Sequence, residues 1–221
     1  MFLRLNRTAG PALVLLSLLM LAVCVRSGAE TLSWEADTQR ASIADGKEFM
    51  VLSGNAVIRS GSTEIRADEI EASGDEWRYI FCRGAVSVFD SERGIRLSSD
   101  RLFYDRELEI TRIDAYTEMQ DLTNQVVVKG GFFEYLGQEE LVVVQIGVRI
   151  IKITEDSELT CRAELARYQR DLDVLELTGV PRVTRNNDEY SASRIVINLA
   201  TDEIVLEDGV RGTIVEKSQP Q

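Results

Sequence analysis

The chain has 221 residues, 44% of them hydrophobic, with a net charge of −12, a pI near 4.6 and no histidine. That length fits one core of ordinary domain size with short extras. The acidity excludes a nucleic-acid binder, which would show a basic face. The lack of histidine excludes Ser-His and Cys-His nucleophile pairs and His-based metal sites.

At the start of the chain Arg4 and Arg7 precede an apolar run from Pro11 to Val25, and Ser27-Gly28-Ala29 follows. A basic start, a run of this length and a small-x-small site predict a secretory signal over residues 1–29, cleaved after Ala29. Two alternatives stay open: an uncleaved anchor, although a span usually needs about 20 apolar residues, and a lipoprotein signal ending at Cys24. Each places the folded part, residues 30–216, outside the cytoplasm of a bacterial-type cell. A short polar tail, 217–221, closes the chain.

From residue 45 onward strand signals dominate, with β-branched and aromatic residues alternating against charge. Leu52-Ser53-Gly54-Asn55-Ala56-Val57-Ile58 is echoed at Cys82–Val88, Leu177–Val183 and Glu207–Gly212. Thirty residues separate Gly54 from Gly84, and again Gly179 from Gly209. Such a period marks stacked units, each too small to bury its own apolar face. The glycines are read as turns that lead into new strands.

Between them the apolar alternation changes phase. Ile65 and Ala67 share one face, as do Ile70 and Ala72 after a shift at Asp68. Because side chains alternate across a strand, a bulge or corner must lie there. Leu97 and Ser99, then Leu102 and Tyr104, bracket Asp100 in the same way; Tyr190 and Ala192, then Ile195 and Ile197, bracket Ser193. Polar turns such as Asp75-Glu76 and Arg106-Glu107 precede further apolar runs, among them Trp77, Tyr79 and Phe81. The units are therefore bent β-hairpins, and the expected fold class is all-β, a single solenoid-like stack.

The middle, 113–153, is less regular. Ile113-Asp114-Ala115-Tyr116 lacks the glycine, Gly130-Gly131 replaces the acidic corner, and Leu141–Val144 with Ile146–Ile153 is continuously apolar enough to predict deeper burial. Cys82 and Cys161 lie about two and a half repeats apart, about 12 Å along a stack at the usual strand spacing. A bridge spans at most about 7 Å between Cα atoms, so both cysteines are expected buried and unpaired.

The corner Ala67-Asp68-Glu69-Ile70, its counterpart Ser99-Asp100-Arg101-Leu102, the segment Leu52–Ile58 and the closing segment from Leu177 to Asp202 together resemble the OstA-like family of lipopolysaccharide-transport proteins. The closing segment is most similar to the periplasmic LptA branch, with the membrane-anchored LptC branch second. The resemblance implies an open β-jellyroll whose interior holds acyl chains. It also implies a role carrying lipopolysaccharide or a related glycolipid from the inner to the outer membrane, as part of a bridge. Implied partners are LptC-like inner-membrane and LptD-like outer-membrane proteins, joined by strand augmentation, and further copies of the chain joined head to tail. The strand around Ala41 to Leu52 would receive the inner-membrane partner, and the strand around Val205 to Val215 the next protomer or the outer-membrane partner.

The candidate lipid-lining residues are Ala56, Ile58, Ile65, Ala67, Ile70, Val86, Val88, Leu97, Leu102, Val183, Ala192, Ile195 and Ile197. By themselves these positions fit a dry core as well as a lined channel. Catalysis finds no support. Carboxylate pairs such as Asp100 with Asp105 fall in turns, where they solvate and hydrogen-bond locally. Isolated glycines followed by strands make no phosphate loop. No enzyme activity, cofactor or metal is expected, and the competing reading is a scaffold that joins envelope partners by strand pairing without carrying lipid.

Overall fold

The structure is a computed structural model, which describes residues 32–215 except 45–46, 93, 124, 154–157 and 202. The expected signal segment, Cys24 and the polar tail lie outside the described residues. Among the described residues eighteen antiparallel strands form one continuous hydrogen-bonded sheet. The sheet is folded along a line, so that it works as two facing arms of an open β-jellyroll.

Six long strands run through both arms: β3 (Lys47–Ser60), β4 (Thr63–Ser73), β5 (Tyr79–Asp90), β6 (Ile95–Asp105), β11 (Leu141–Ile153) and β12 (Glu158–Gln169). Elsewhere the fold line interrupts the strand. The first arm is completed by β2 (Thr38–Ala44), β7 (Ile110–Ile113), β10 (Phe132–Leu136), β13 (Val174–Thr178), β16 (Arg194–Asn198) and β17 (Glu203–Glu207). The second arm is completed by β1 (Leu32–Glu35), β8 (Thr117–Asp121), β9 (Val126–Gly130), β14 (Arg182–Arg185), β15 (Asp188–Ser191) and β18 (Arg211–Thr213). Strand β6, for example, pairs with β7 through Phe103–Asp105 and with β8 through Ile95–Ser98.

Two of the four repeated glycines take a different place from the one the spacing suggests, while Gly179 and Gly209 do stand between strands. Gly54-Asn55 and Gly84-Ala85 lie inside β3 and β5 as bulges, shifting the register between Ser53 and Ala56 and between Arg83 and Val86. They are corners, not turns. Each pair sits in the left-handed region, φ +73° at Gly84 and +47° at Ala85, and bends the strand from one arm into the other. The acidic residue of the sequence pattern stands on the neighbouring strand at the same level. A Cβ on Gly84 would land on the carboxylate of Asp68, so only glycine admits that carboxylate. The same device recurs at the ends: Asp37 N–H donates to Gly54 O at 2.9 Å, and Glu164 N–H to Gly179 O at 3.2 Å.

The phase shifts read from the sequence are realised here. Ile65, Ala67, Ile70 and Ala72 are all buried, as are Leu97, Ser99, Leu102 and Tyr104. In the middle, Asp114–Tyr116 crosses the corner between β7 and β8, and Gly130-Gly131 crosses it between β9 and β10. A Cβ on Gly130 would lie 2.6 Å from Val144 Cγ1, which explains the glycine there as close approach. Leu141–Val144 is buried throughout, as expected for that run. Ile146 and Ile153 are exposed, so β11 returns to ordinary alternation past the corner.

One run faces the other way. Ile80 and Cys82 turn inward from β5, whereas Tyr79 and Phe81 lie on the outer face against Phe103, with ring centroids 6.2 and 4.7 Å away. Arg83 covers Phe81 at 5.5 Å. The strand period places these rings outside because the inward positions are fixed by Val86 and Val88 beyond the bulge.

Candidate functional site between the arms

The inner faces of the arms form continuous ladders along the stack. In the second arm Ile58, Ile65, Val88, Leu97, Met119, Val128, Ile150, Cys161, Val183, Tyr190 and Gly212 are successive cross-strand neighbours. In the first arm Tyr104, Thr111, Tyr135, Val142, Tyr168, Leu175, Ile197 and Ile204 form another. Small residues, Ala56, Ala67 and Ser99 among them, lie closest to the corner, where the arms converge.

All thirteen candidate lining residues fall on these inner faces. Twelve are buried and Ala192 packs against the cluster half-buried. Sequence reasoning omitted Met119, Val128, Phe133, Tyr135, Val148, Ile150 and Tyr168, which fill the same interior. For Val128, Phe133 and Tyr135 the signal was present as period-two alternation in Val126–Gly130 and Phe132–Leu136, but strands of five residues hide it.

The arms are closed on each other. Leu97 of the second arm faces Ile113, Phe133 and Val142 of the first across a void of about 10 Å³, and Thr111, whose buried Oγ1 has no hydrogen-bond partner, borders that void. Cys82 and Cys161 are buried and unpaired, one in each arm, and burial pushes both thiols up to about 12.

Polar groups gather at the tips, opposite the corner. Buried Asp90 accepts from Ser62 Oγ and Glu92 N, both at 3.0 Å, and so holds the turn at the end of the second arm. Tyr168 donates its hydroxyl to Asp173 at 3.0 Å, and Arg170 donates to the Tyr135 hydroxyl at 3.1 Å. The rings thus complete the apolar wall while their oxygens stand at a polar rim. At the end of the first arm Asp105 accepts from Arg78 at 2.8 Å and from the N–H groups of Glu107 and Leu108.

Burial alone would raise the Asp105 pKa, but Arg78 and the two backbone donors outweigh it and hold the carboxyl below its ordinary value. A depressed carboxylate stabilises the fold above its unfolded pKa, near ~3.9, and that stability is lost as pH falls through the folded value. In Arg78→Met the burial is unopposed by charge. The acid unfolding transition is expected to move to higher pH, with lower stability at neutral pH, as read from urea midpoints followed from neutral solution into acid. An unmoved acid transition would show that Asp105 does not depend on Arg78.

The fold is thus an open all-β jellyroll with an apolar interior. No family model matches the chain, and no curated protein matches it. Among solved structures the chain is similar to LptH, the LptA homologous periplasmic component of the lipopolysaccharide transport device from Pseudomonas aeruginosa, with a TM-score of 0.30 and 10% identity, over 85% of this chain and 96% of that chain. A likeness so distant carries no functional argument.

Proposed function

We propose that the chain carries an amphipathic lipid, lipopolysaccharide or a related glycolipid, across the periplasm, with acyl chains between the arms and the head group outside. The observation that supports this most is the largely apolar interior, whose second-arm ladder runs from Ile58 in β3 to Tyr190 in β15. The resemblance of the Gly-Asn and Ala-Asp corners to the OstA-like family points the same way. Each methylene moved from water into the interior is worth about 0.8 kcal/mol. The filled interior requires the arms to part at their tips, with the corner bulges as the line about which they open. In this reading the chain has no catalytic or cofactor chemistry of its own.

The edges support a bridge. Among the described residues β1 and β2 pair only with β3 and end the stack on one side, and β17 and β18 pair only with β16 and β15 and end it on the other. Such edges invite pairing with another chain. The first edge is Thr38–Ala44 together with Leu32–Glu35; Met50–Leu52, included in the sequence expectation, lie in β3 with neighbours on both sides. Because the two ends differ, copies would join head to tail, and LptC-like and LptD-like proteins are the proposed partners at the termini.

A second reading, a scaffold that joins partners by its edges and carries no lipid, rests on the close packing of the same interior. Photo-crosslinking separates the two. A diazirine side chain at Val86, Ile195 or Ile197 should label lipopolysaccharide, and one at outward-facing Val196 should label it several-fold less. Equal labelling from both faces would refute the interior path, and no labelling from either would favour the scaffold.

A further inference from the structure

The outer face of the second arm changes character along the stack. Its row nearest the corner runs, strand by strand, Val57, Arg66, Ser87, Ser98, Glu118, Lys129, Arg149, Arg162, Arg182, Ser191 and Arg211. Early in the row charges are compensated: Arg66 pairs with Glu64 at 2.7 Å and Lys129 with Glu118 at 2.6 Å. From β11 onward Arg149, Arg162 and Arg182 are direct cross-strand neighbours, and Arg211 follows across Ser191. All four are exposed, and among the described residues none makes an ion pair. Like charges directly opposite one another destabilise a sheet. In a chain of net charge −12, this row is a local concentration of positive charge available to an anion outside the chain.

The corner beside this row changes at the same level. On every second strand its exposed positions are Asn55 and Ala85 in the early rungs, then Tyr116, Ile146, Val180 and Val210, while the intervening strands present Asp68, Asp100 and Glu164. Tyr116, Ile146, Val180 and Val210 are 63, 64, 76 and 54% exposed. They recur on every second strand, about 10 Å apart at the usual strand spacing. The carboxylates nearby are Asp114, paired with Arg101 at 3.6 Å, Glu164 and Asp208 at the corner, and Glu189 in the next row, beside the hydroxyls of Thr160, Thr184 and Thr213. An apolar ridge flanked by unpaired cations is the chemistry of a surface that lies in the head-group layer of an anionic bilayer.

We propose that the corner of the later rungs docks onto an anionic membrane surface, Tyr116, Ile146, Val180 and Val210 entering the interface and Arg149, Arg162, Arg182 and Arg211 meeting lipid phosphates. The site is separate from the interior and does not require it to carry lipid.

The test uses the full chain with phosphatidylglycerol-rich and pure phosphatidylcholine vesicles. Because the apolar run at residues 11–25 can attach to either, the readouts are the difference between the two vesicles and a local probe, Tyr116→Trp. Its added emission should shift to the blue and be quenched by brominated lipid only with phosphatidylglycerol. Arg162→Ser/Arg182→Ser should weaken the phosphatidylglycerol preference on the order of 30-fold, at about 1 kcal/mol per cation near the surface. Arg162→Lys/Arg182→Lys should largely restore it. Val180→Ser/Val210→Ser should reduce the Trp shift without lowering the thermal midpoint. Equal behaviour with both vesicles, or substitutions that leave vesicle binding unchanged, would overturn the proposal. So would loss of self-association in the serine variant with vesicle binding intact, which would make the face a contact between copies. Interior crosslinking at Ile195 is independent of every one of these outcomes.

Discussion

Leu97→Ala is expected to cost about 3–5 kcal/mol, a large share of the roughly 5–15 kcal/mol by which domains are stable. Leu97 is 1% exposed and stands where the second arm meets the first. The void beside it is already lined by Ile113, Phe133 and Val142, so the lost side chain enlarges a gap that rigid strands on both sides cannot close. Leu172→Ala, at an exposed turn position, is the control and should change stability by no more than ~0.5 kcal/mol. Urea denaturation of the two variants checks this. A cost for Leu97→Ala as small as the control would mean that the arms are not packed on each other in solution. In the carrier reading the same variant gains room for an apolar ligand, so added glycolipid should recover part of the lost stability.

Gly84→Ala is expected to destabilise by about 2–4 kcal/mol. The left-handed backbone alone costs an L-residue about 1–2 kcal/mol. The added methyl would also lie 2.8 and 2.9 Å from Cγ and Cβ of Asp68 and overlap its carboxylate. Gly147→Ala isolates the first contribution, because its φ is +66° and nothing lies within 4 Å of the added atom. It should cost only that backbone share, about 1–2 kcal/mol. Asp68→Gly combined with Gly84→Ala should recover stability relative to Gly84→Ala alone, since the two atoms no longer compete for one space. Thermal melts of the set decide it. If Gly84→Ala and Gly147→Ala were equally mild, the interlocking of glycine and carboxylate would not hold the corner.

Sequence alone determined the alternation and therefore the faces. Ile65 and Ala67, Leu97 and Leu102, and Ile195 and Ile197 could be assigned to the inside because a strand has period two and a buried face must be continuous in composition. The phase shifts at Asp68, Asp100 and Ser193 were equally legible, since a strand that keeps its apolar face across a shift has to bend. Tertiary structure alone decided that Gly54 and Gly84 lie within strands instead of between them, while Gly179 and Gly209 stand where the strand is interrupted at the corner. A positive-φ pair serves a turn or a bulge equally well, and the choice depends on the acidic residue of the neighbouring strand, which is distant in sequence. It also decided that Tyr79 and Phe81 stand outside, that Met119, Val128 and Tyr135 join the interior, and that Arg149, Arg162, Arg182 and Arg211 form one row. Register between strands is set by pairing across the sheet, and the sequence of one strand does not specify which residue of another will lie beside it.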